Sequence, residues 1–487
     1  MTERDKIVHL LRRFGLGAAP SEVDAYEKIG LNRAIDDVLD FEKPESRFPV
    51  SPWEFFFQED GQVQLNANRL AGWWVMRLIH TDRPSLDKLT IFWHDHFAVS
   101  AQKVESGVLM LYYLETLTKH AGGAFRDLLG AITKDPAMMR WLDSETNIKG
   151  NPNENYGREL LELFTIGIGN YTEKDVQETA RALTGWSLRT VFRQGDAEST
   201  RRQIVNSITN GPRLITAAFS RGLHDETQKT ILGKADTFDT EGVLYFLAGR
   251  PETARYITTK LWEYYAYPNP ERVISDRLTR VFTDSKGDIK SVLLSILNSD
   301  EFWSDRCARA LIKSPVDLTI AFIRQLEISE QLLEERDTNA TETTPIPQSI
   351  IGIAGALLNA MNNQGMLLLY PPDVAGWTWG QGWISTNNML ERIRFADLVA
   401  GPSPGQSLAN AVRSDMLKQG KRLTSRDVVD VVLERFDVDA ADGQVETFVR
   451  GLVSGGGVAG VMDQENGNTA LHPLIKLIFA MPEFHLV

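Results

Sequence analysis

Apolar residues return every three to four positions along most of this chain, and the two-residue alternation of a half-buried strand is scarce. Such a chain buries helical stripes against one another, because only a 3.6-residue period brings those positions to one side. The periodicity predicts helices over 64–80, 84–96, 106–119, 124–133, 155–168, 173–187, 252–266, 270–283, 288–298, 315–328, 350–362, 388–399, 425–435 and 472–481. Ser21 is expected to cap SEVDAYEKIGLNRAIDDVL, with Asp24 in the first turn. Strand character is best at 203–219, QIVNSITNGPRLITAAF, where Asn210-Gly211-Pro212 supplies a turn. The expected fold class is mainly α, a large multi-helix globular bundle with at most a short β-hairpin near 203–219.

At 487 residues the chain is long enough for several subdomains. Residues 1–330 are read as the main helical domain. The polar run EQLLEERDTNATETTPIPQ makes 331–348 a flexible linker or loop. An aromatic and helical segment, 349–401, is expected to pack back on the main domain. The GPSPG break at 401–405 opens a C-terminal helical subdomain over 402–487.

The formal net charge of −13, with no basic run, argues against a general nucleic-acid binder. One cysteine, Cys307, excludes an intrachain disulfide framework and a cysteine-rich metal site. No run of about 18 apolar residues predicts a membrane span, and no signal segment is seen at the start, so a cytoplasmic chain is expected.

Polar groups gather in apolar surroundings at three places. In FWHDHFAVS, 92–100, His96 continues the stripe of Leu86, Leu89, Phe92 and Trp93, while His94 lies about 200° around an ideal helix. In NENYGRELLELFTIGIGNYTEKDVQETARALTGW, 153–186, Glu159 and Glu162 share one side of a helix and Asp175 and Glu178 repeat the spacing after a short turn. A buried carboxylate costs several kcal/mol unless it is paired, protonated or metal-bound. Thr172 with Asp175 also reads as a capping box, Glu178 with Arg181 as an ion pair, and Arg158 as a partner for another carboxylate. In GLHDETQKTILGK, 222–234, His224 and Asp225 stand in a polar turn and suit either turn chemistry or metal ligation.

No nucleophile elbow, phosphate loop or dinucleotide fingerprint is present, which leaves metal chemistry as the main catalytic option. The expected ligands are His94, His96, Glu159, Glu162 and His224, with Glu178, Arg181 and Asp225 completing or orienting the site. Mixed carboxylate and imidazole donors suit Fe, Mn or Zn. Oxidation is placed ahead of hydrolysis by analogy with carboxylate di-metal bundles. The alternative is a non-catalytic scaffold whose carboxylates are neutralised by Arg158 and Arg181. Trp73, Trp74, Trp377, Trp379 and Trp383 would then anchor a protein partner, or the last three would floor a cleft for a small molecule, peptide or carbohydrate.

RFGLGA at 13–18, FWHDHFAVS, DPAMMRWLD at 135–143, the 153–186 stretch, HDETQKTILG, KSPVDL at 313–318 and PPDVAGW at 371–377 occur in this order. Together they resemble a bacterial family, domain of unknown function 1800 (DUF1800), over nearly the whole chain. The resemblance implies an α-helical fold and an uncharacterised activity, and it carries over no catalytic residues. It also implies frequent export, and a possible partner in domain of unknown function 1501 (DUF1501), a phosphatase- and sulfatase-like family encoded beside it.

Overall fold

In a computed structural model of the chain, residues 1–190, 197–211, 213–400, 407–418 and 423–487 are described. They form 26 α-helices and two short antiparallel pairs of strands, so the molecule is mainly α. No helix among the described residues is long and apolar enough to cross a membrane. One contiguous apolar cluster runs from Leu10 to Phe484 and takes in the C-terminal helices. Phe322 joins them to the rest: its ring stacks on Phe436 at 4.4 Å and meets Phe479 at 5.2 Å.

The central helix, Pro84–His96, shows why the sequence pattern works. Pro84 starts it at a position where no backbone donor is needed. Every residue from Ser85 to His96 is buried, each large apolar side chain contributing about 1.5–3 kcal/mol. It packs on the helix Gly107–His120, which in turn packs on Ala67–His80. The helices Pro315–Leu326 and Gln348–Asn363 close over Ala67–His80.

Several expectations are corrected. Ser21 is not a cap: the helix Pro20–Ile29 starts earlier, with Ala19 at the cap and Pro20 at the first helical position. The hairpin expected within 203–219 is absent, because most of its first half belongs to the helix Ala197–Asn210, which buries Ile204. Pro212 lies outside the described residues. The observed partner of Ile215–Phe219 is Trp186–Thr190, in antiparallel register Trp186↔Phe219 to Thr190↔Ile215. That strand exists because the helix Glu173–Ala182 ends before Gly185, whose φ of +104° suits a residue without a Cβ.

The polar run 331–348 is tethered. Arg336 donates to both oxygens of buried Glu54 at 2.8 and 2.9 Å, and the Ile346 N–H reaches the Glu54 carbonyl at 3.1 Å. The break at 401–405 lies outside the described residues.

Candidate functional site

The two histidines of FWHDHF end as neutral core residues. Tyr113 donates its hydroxyl proton to the Phe97 carbonyl at 2.9 Å, so its oxygen accepts from His94 Nδ1 at 3.0 Å. His94 Nε2 then accepts the Leu369 N–H at 3.2 Å. Both nitrogens are used, and burial lowers the pKa of the ring to about 3. His96 faces the other way. Its Nε2 lies 3.2 Å from the Phe164 carbonyl, which only accepts, so Nε2 carries the proton and Nδ1 accepts from Lys260 Nζ at 3.1 Å. Burial first, and then the Lys260 charge, hold His96 well below its ordinary value.

The residue between the histidines opens onto a cavity. Lys88, Phe92 and Asp95 fall at i, i+4 and i+7 on Pro84–His96 and line a space of about 530 Å³ with Lys260, Tyr264 and Trp379. Lys260 and Tyr264 come from the facing helix Pro251–Tyr265. Arg13, in the last turn of Glu3–Phe14, and Asp317, near the start of Pro315–Leu326, close one end. The segment 310–312 forms a further wall, held by paired backbone bonds between Leu311 and Val487 at 3.2 and 2.8 Å.

Asp95 is fixed from the loop that follows PPDV. Its Oδ1 accepts the Trp377 N–H at 2.8 Å and its Oδ2 accepts Trp379 Nε1 at 2.7 Å. Gly376 makes this approach possible: its φ is +86°, and a Cβ there would collide with the Asp95 carboxylate and carbonyl. Burial pushes the Asp95 carboxyl up to about 6, against the lowering pull of Lys260 and of the two donated bonds. Burial likewise lowers the Lys260 pKa, opposed by Asp95 and Glu263. The three tryptophans of the loop thus divide. Trp379 lines the cavity and stands 5.2 Å from the Tyr264 ring, while Trp377 and Trp383 are buried beneath it. Trp73 and Trp74 are buried.

The expected metal ligands are not gathered. Glu178, Arg181 and Asp225 do meet, as ion pairs: Arg181 Nη1 lies 2.7 Å from Glu178 and its Nε 2.9 Å from Asp225. Lys174 adds a contact to Glu178 at 2.8 Å. With the Thr230 and Leu232 N–H groups donating to Glu178 and Asp175, these residues fasten Glu173–Ala182 to the strand pair of 229–236. Asp175 also forms the expected capping box with Thr172. His224, next to Asp225, donates its Nδ1 proton to the Thr184 carbonyl at 2.9 Å and is not part of the ion pairs.

Glu159 and Glu162 are half-buried, because the helix Glu154–Glu159 widens into a π-turn at Leu160–Phe164 and changes the faces that ideal helical spacing assigns. Burial, then Glu162, raises the Glu159 pKa. Tyr171 donates to Glu162. Arg158 does not neutralise the pair by direct contact: it bonds Glu173 at 2.7 and 2.8 Å and Glu154 at 3.5 Å. Among the described residues, no group of three or more His, Cys, Asp or Glu side chains lies close enough to hold a metal ion.

Sequence reasoning passed over Arg13, Lys88, Asp95, Lys260 and Tyr264. The i, i+4, i+7 run of Lys88, Phe92 and Asp95 was the available signal, since it sets two charges on one side of a helix rich in apolar residues. Four motifs distant in sequence converge here: Arg13 from RFGLGA, Asp95 from FWHDHF, Asp317 from KSPVDL and the Gly376-Trp377 turn from PPDVAGW. No curated protein and no solved structure matches the chain. A family model described as "Protein of unknown function (DUF1800)" matches residues 9–486, and the chain belongs to that family.

Proposed function

We propose that the protein is an enzyme acting on a small organic molecule in this cavity, with the Lys260 amine as base or nucleophile and Asp95 as its proton partner. One observation carries this: a lysine whose pKa burial pulls down and a carboxyl that burial pushes up to about 6 line the same space of about 530 Å³. In water the two would remain ammonium and carboxylate at neutral pH. Moving each toward the working pH is the condition for general acid–base catalysis, and it favours the free amine needed for attack on a carbonyl. His96 holds Nζ in place without competing for a proton, because burial and the lysine charge keep its ring neutral.

Benzaldehyde with cyanoborohydride provides a test. The amine attacks the carbonyl, water leaves, and hydride from the reagent reduces the C=N bond, marking the lysine for peptide mass spectrometry. Lys260 is expected to be benzylated ahead of exposed lysines such as Lys174. Labelling confined to surface lysines would contradict the proposal.

A divalent cation, Fe, Mn or Zn, is the second reading, and it is favoured only at Glu159 and Glu162. The two carboxyls repel each other while the nearest arginine is engaged elsewhere. Elemental analysis of protein purified without a chelator or His-tag should then find close to one metal per chain. A content far below that ends this reading.

A further inference from the structure

We propose that the Arg13–Lys88 end of the cavity is an anion subsite, and that the substrate is a small molecule carrying a carboxylate or phosphate on an apolar, ring-sized body. The proposal rests on the cavity being the functional site, as argued above. Arg13 is 1% exposed and lines the cavity, yet only one arm of its guanidinium is engaged. Nη2 donates to the Ala266 carbonyl at 2.7 Å and to the Cys307 carbonyl at 2.5 Å. Nε and Nη1 are buried with no partner. Buried donors are almost always satisfied, and the planar fork of an arginine fits the paired oxygens of a carboxylate or phosphate.

The charge balance points the same way. Lys88 Nζ, 4% exposed, donates to the Arg12 carbonyl at 3.0 Å and pairs with Asp317 Oδ1 at 3.2 Å. The other Asp317 oxygen is held by Ser314 in the cap of the helix Pro315–Leu326. Arg13 and Lys88 thus stand as two buried cations beside one carboxylate, Asp317, which contacts Lys88 but not Arg13. The cavity also has aromatic walls: the Tyr264 ring lies 5.1 Å from Phe92 and 5.2 Å from Trp379. A ligand with its anionic group on Arg13 and Lys88 would lay its body along these rings and bring its far end to Lys260.

Calorimetric titration of the whole chain with 3-phenylpropionate, 3-phenylpropanol and inorganic phosphate tests the subsite. The acid should bind at least about tenfold more tightly than the alcohol, the worth of one charge-assisted contact. Lys88→Met should remove most of that preference, and Arg13→Gln should remove it where the variant folds. Where it does not fold, Lys88→Met decides. Phosphate binding more tightly than the acid assigns the phosphate class, and the reverse order assigns the carboxylate class. Equal binding of acid and alcohol, no binding of any probe, or an unchanged preference in Lys88→Met overturns the subsite. Benzylation of Lys260 in the same samples, without added acid, separates the two proposals. Selective labelling without acid binding leaves the catalytic amine standing and the subsite refuted.

Discussion

Lys260 Nζ donates to Nδ1 of His96 at 3.1 Å, and the other nitrogen of that ring is committed to the Phe164 carbonyl. The imidazole that looked like a metal ligand is therefore a neutral bracket for a lysine. Lys260 feels the opposite charge of Asp95, and each group opposes the effect of burial on the other.

That coupling is reciprocal. Asp95→Asn should lower the Lys260 pKa further, and Lys260→Met should raise the Asp95 carboxyl above its value of about 6. Carbon-13 titration of the Asp95 carboxyl in Lys260→Met checks the second half. An unmoved carboxyl would show that the two groups do not interact.

Gly376→Ala should destabilise the loop against Asp95. A left-handed backbone without glycine costs about 1–3 kcal/mol, and here the new methyl also collides with the carboxylate. Thermal unfolding should fall, and Trp379 fluorescence should shift as its bond to Asp95 loosens. Wild-type unfolding and emission in the variant would count against this contact.

Acid stability has a definite sign. Burial lowers the pKa of His9, His94 and His485 to about 2, 3 and 4, from an ordinary 6.5. Their contribution is complete above 6.5 and is lost as pH falls toward those values. Asp95 and Asp135, both raised to about 6 from 3.8, act in the opposite sense over that window. Burial lowers His80 and His96 as well, so the imidazoles outweigh the carboxyls and acid brings a net loss of stability. The urea midpoint should therefore fall between pH 6 and pH 4. A flat or rising midpoint would mean these rings accept protons without cost.

Glu159→Gln should raise stability at neutral pH. The folded state raises this carboxyl's pKa through burial and then Glu162, so ionisation weakens the fold as pH rises through the shifted range. The gain should disappear in acid, where Glu159 is protonated. A loss of stability at neutral pH would point to a cation bound there.

Arg181→Leu should cost about 1–3 kcal/mol, because Glu178 and Asp225 lose their shared guanidinium. Lys260 labelling should not change in this variant. A coupled loss would tie the ion-pair cluster to the cavity.

Much of the fold was legible because helical stripes announce themselves: the expected helices at 84–96, 124–133 and 425–435 match Pro84–His96, Phe125–Thr133 and Ser425–Arg435. The site was less so. His94 and His96 drew attention to a segment whose cavity-facing residue is Asp95, and imidazole placement depends on partners as remote as Leu369 and Lys260. The carboxylates were misjudged for a local reason, since the π-turn at Leu160–Phe164 changes faces that an ideal helix would fix. Lys260 lies in ITTKLWEYY, which has no motif; only the packing of Pro251–Tyr265 gives it a role.

Competitive acetylation of lysines across pH, read residue by residue, measures the Lys260 pKa without knowledge of the substrate. Lys260 should show a midpoint below the ordinary 10.5, falling further in Asp95→Asn. A Lys260 that titrates at the ordinary value, or that acetic anhydride cannot reach, would contradict a catalytic amine in this cavity.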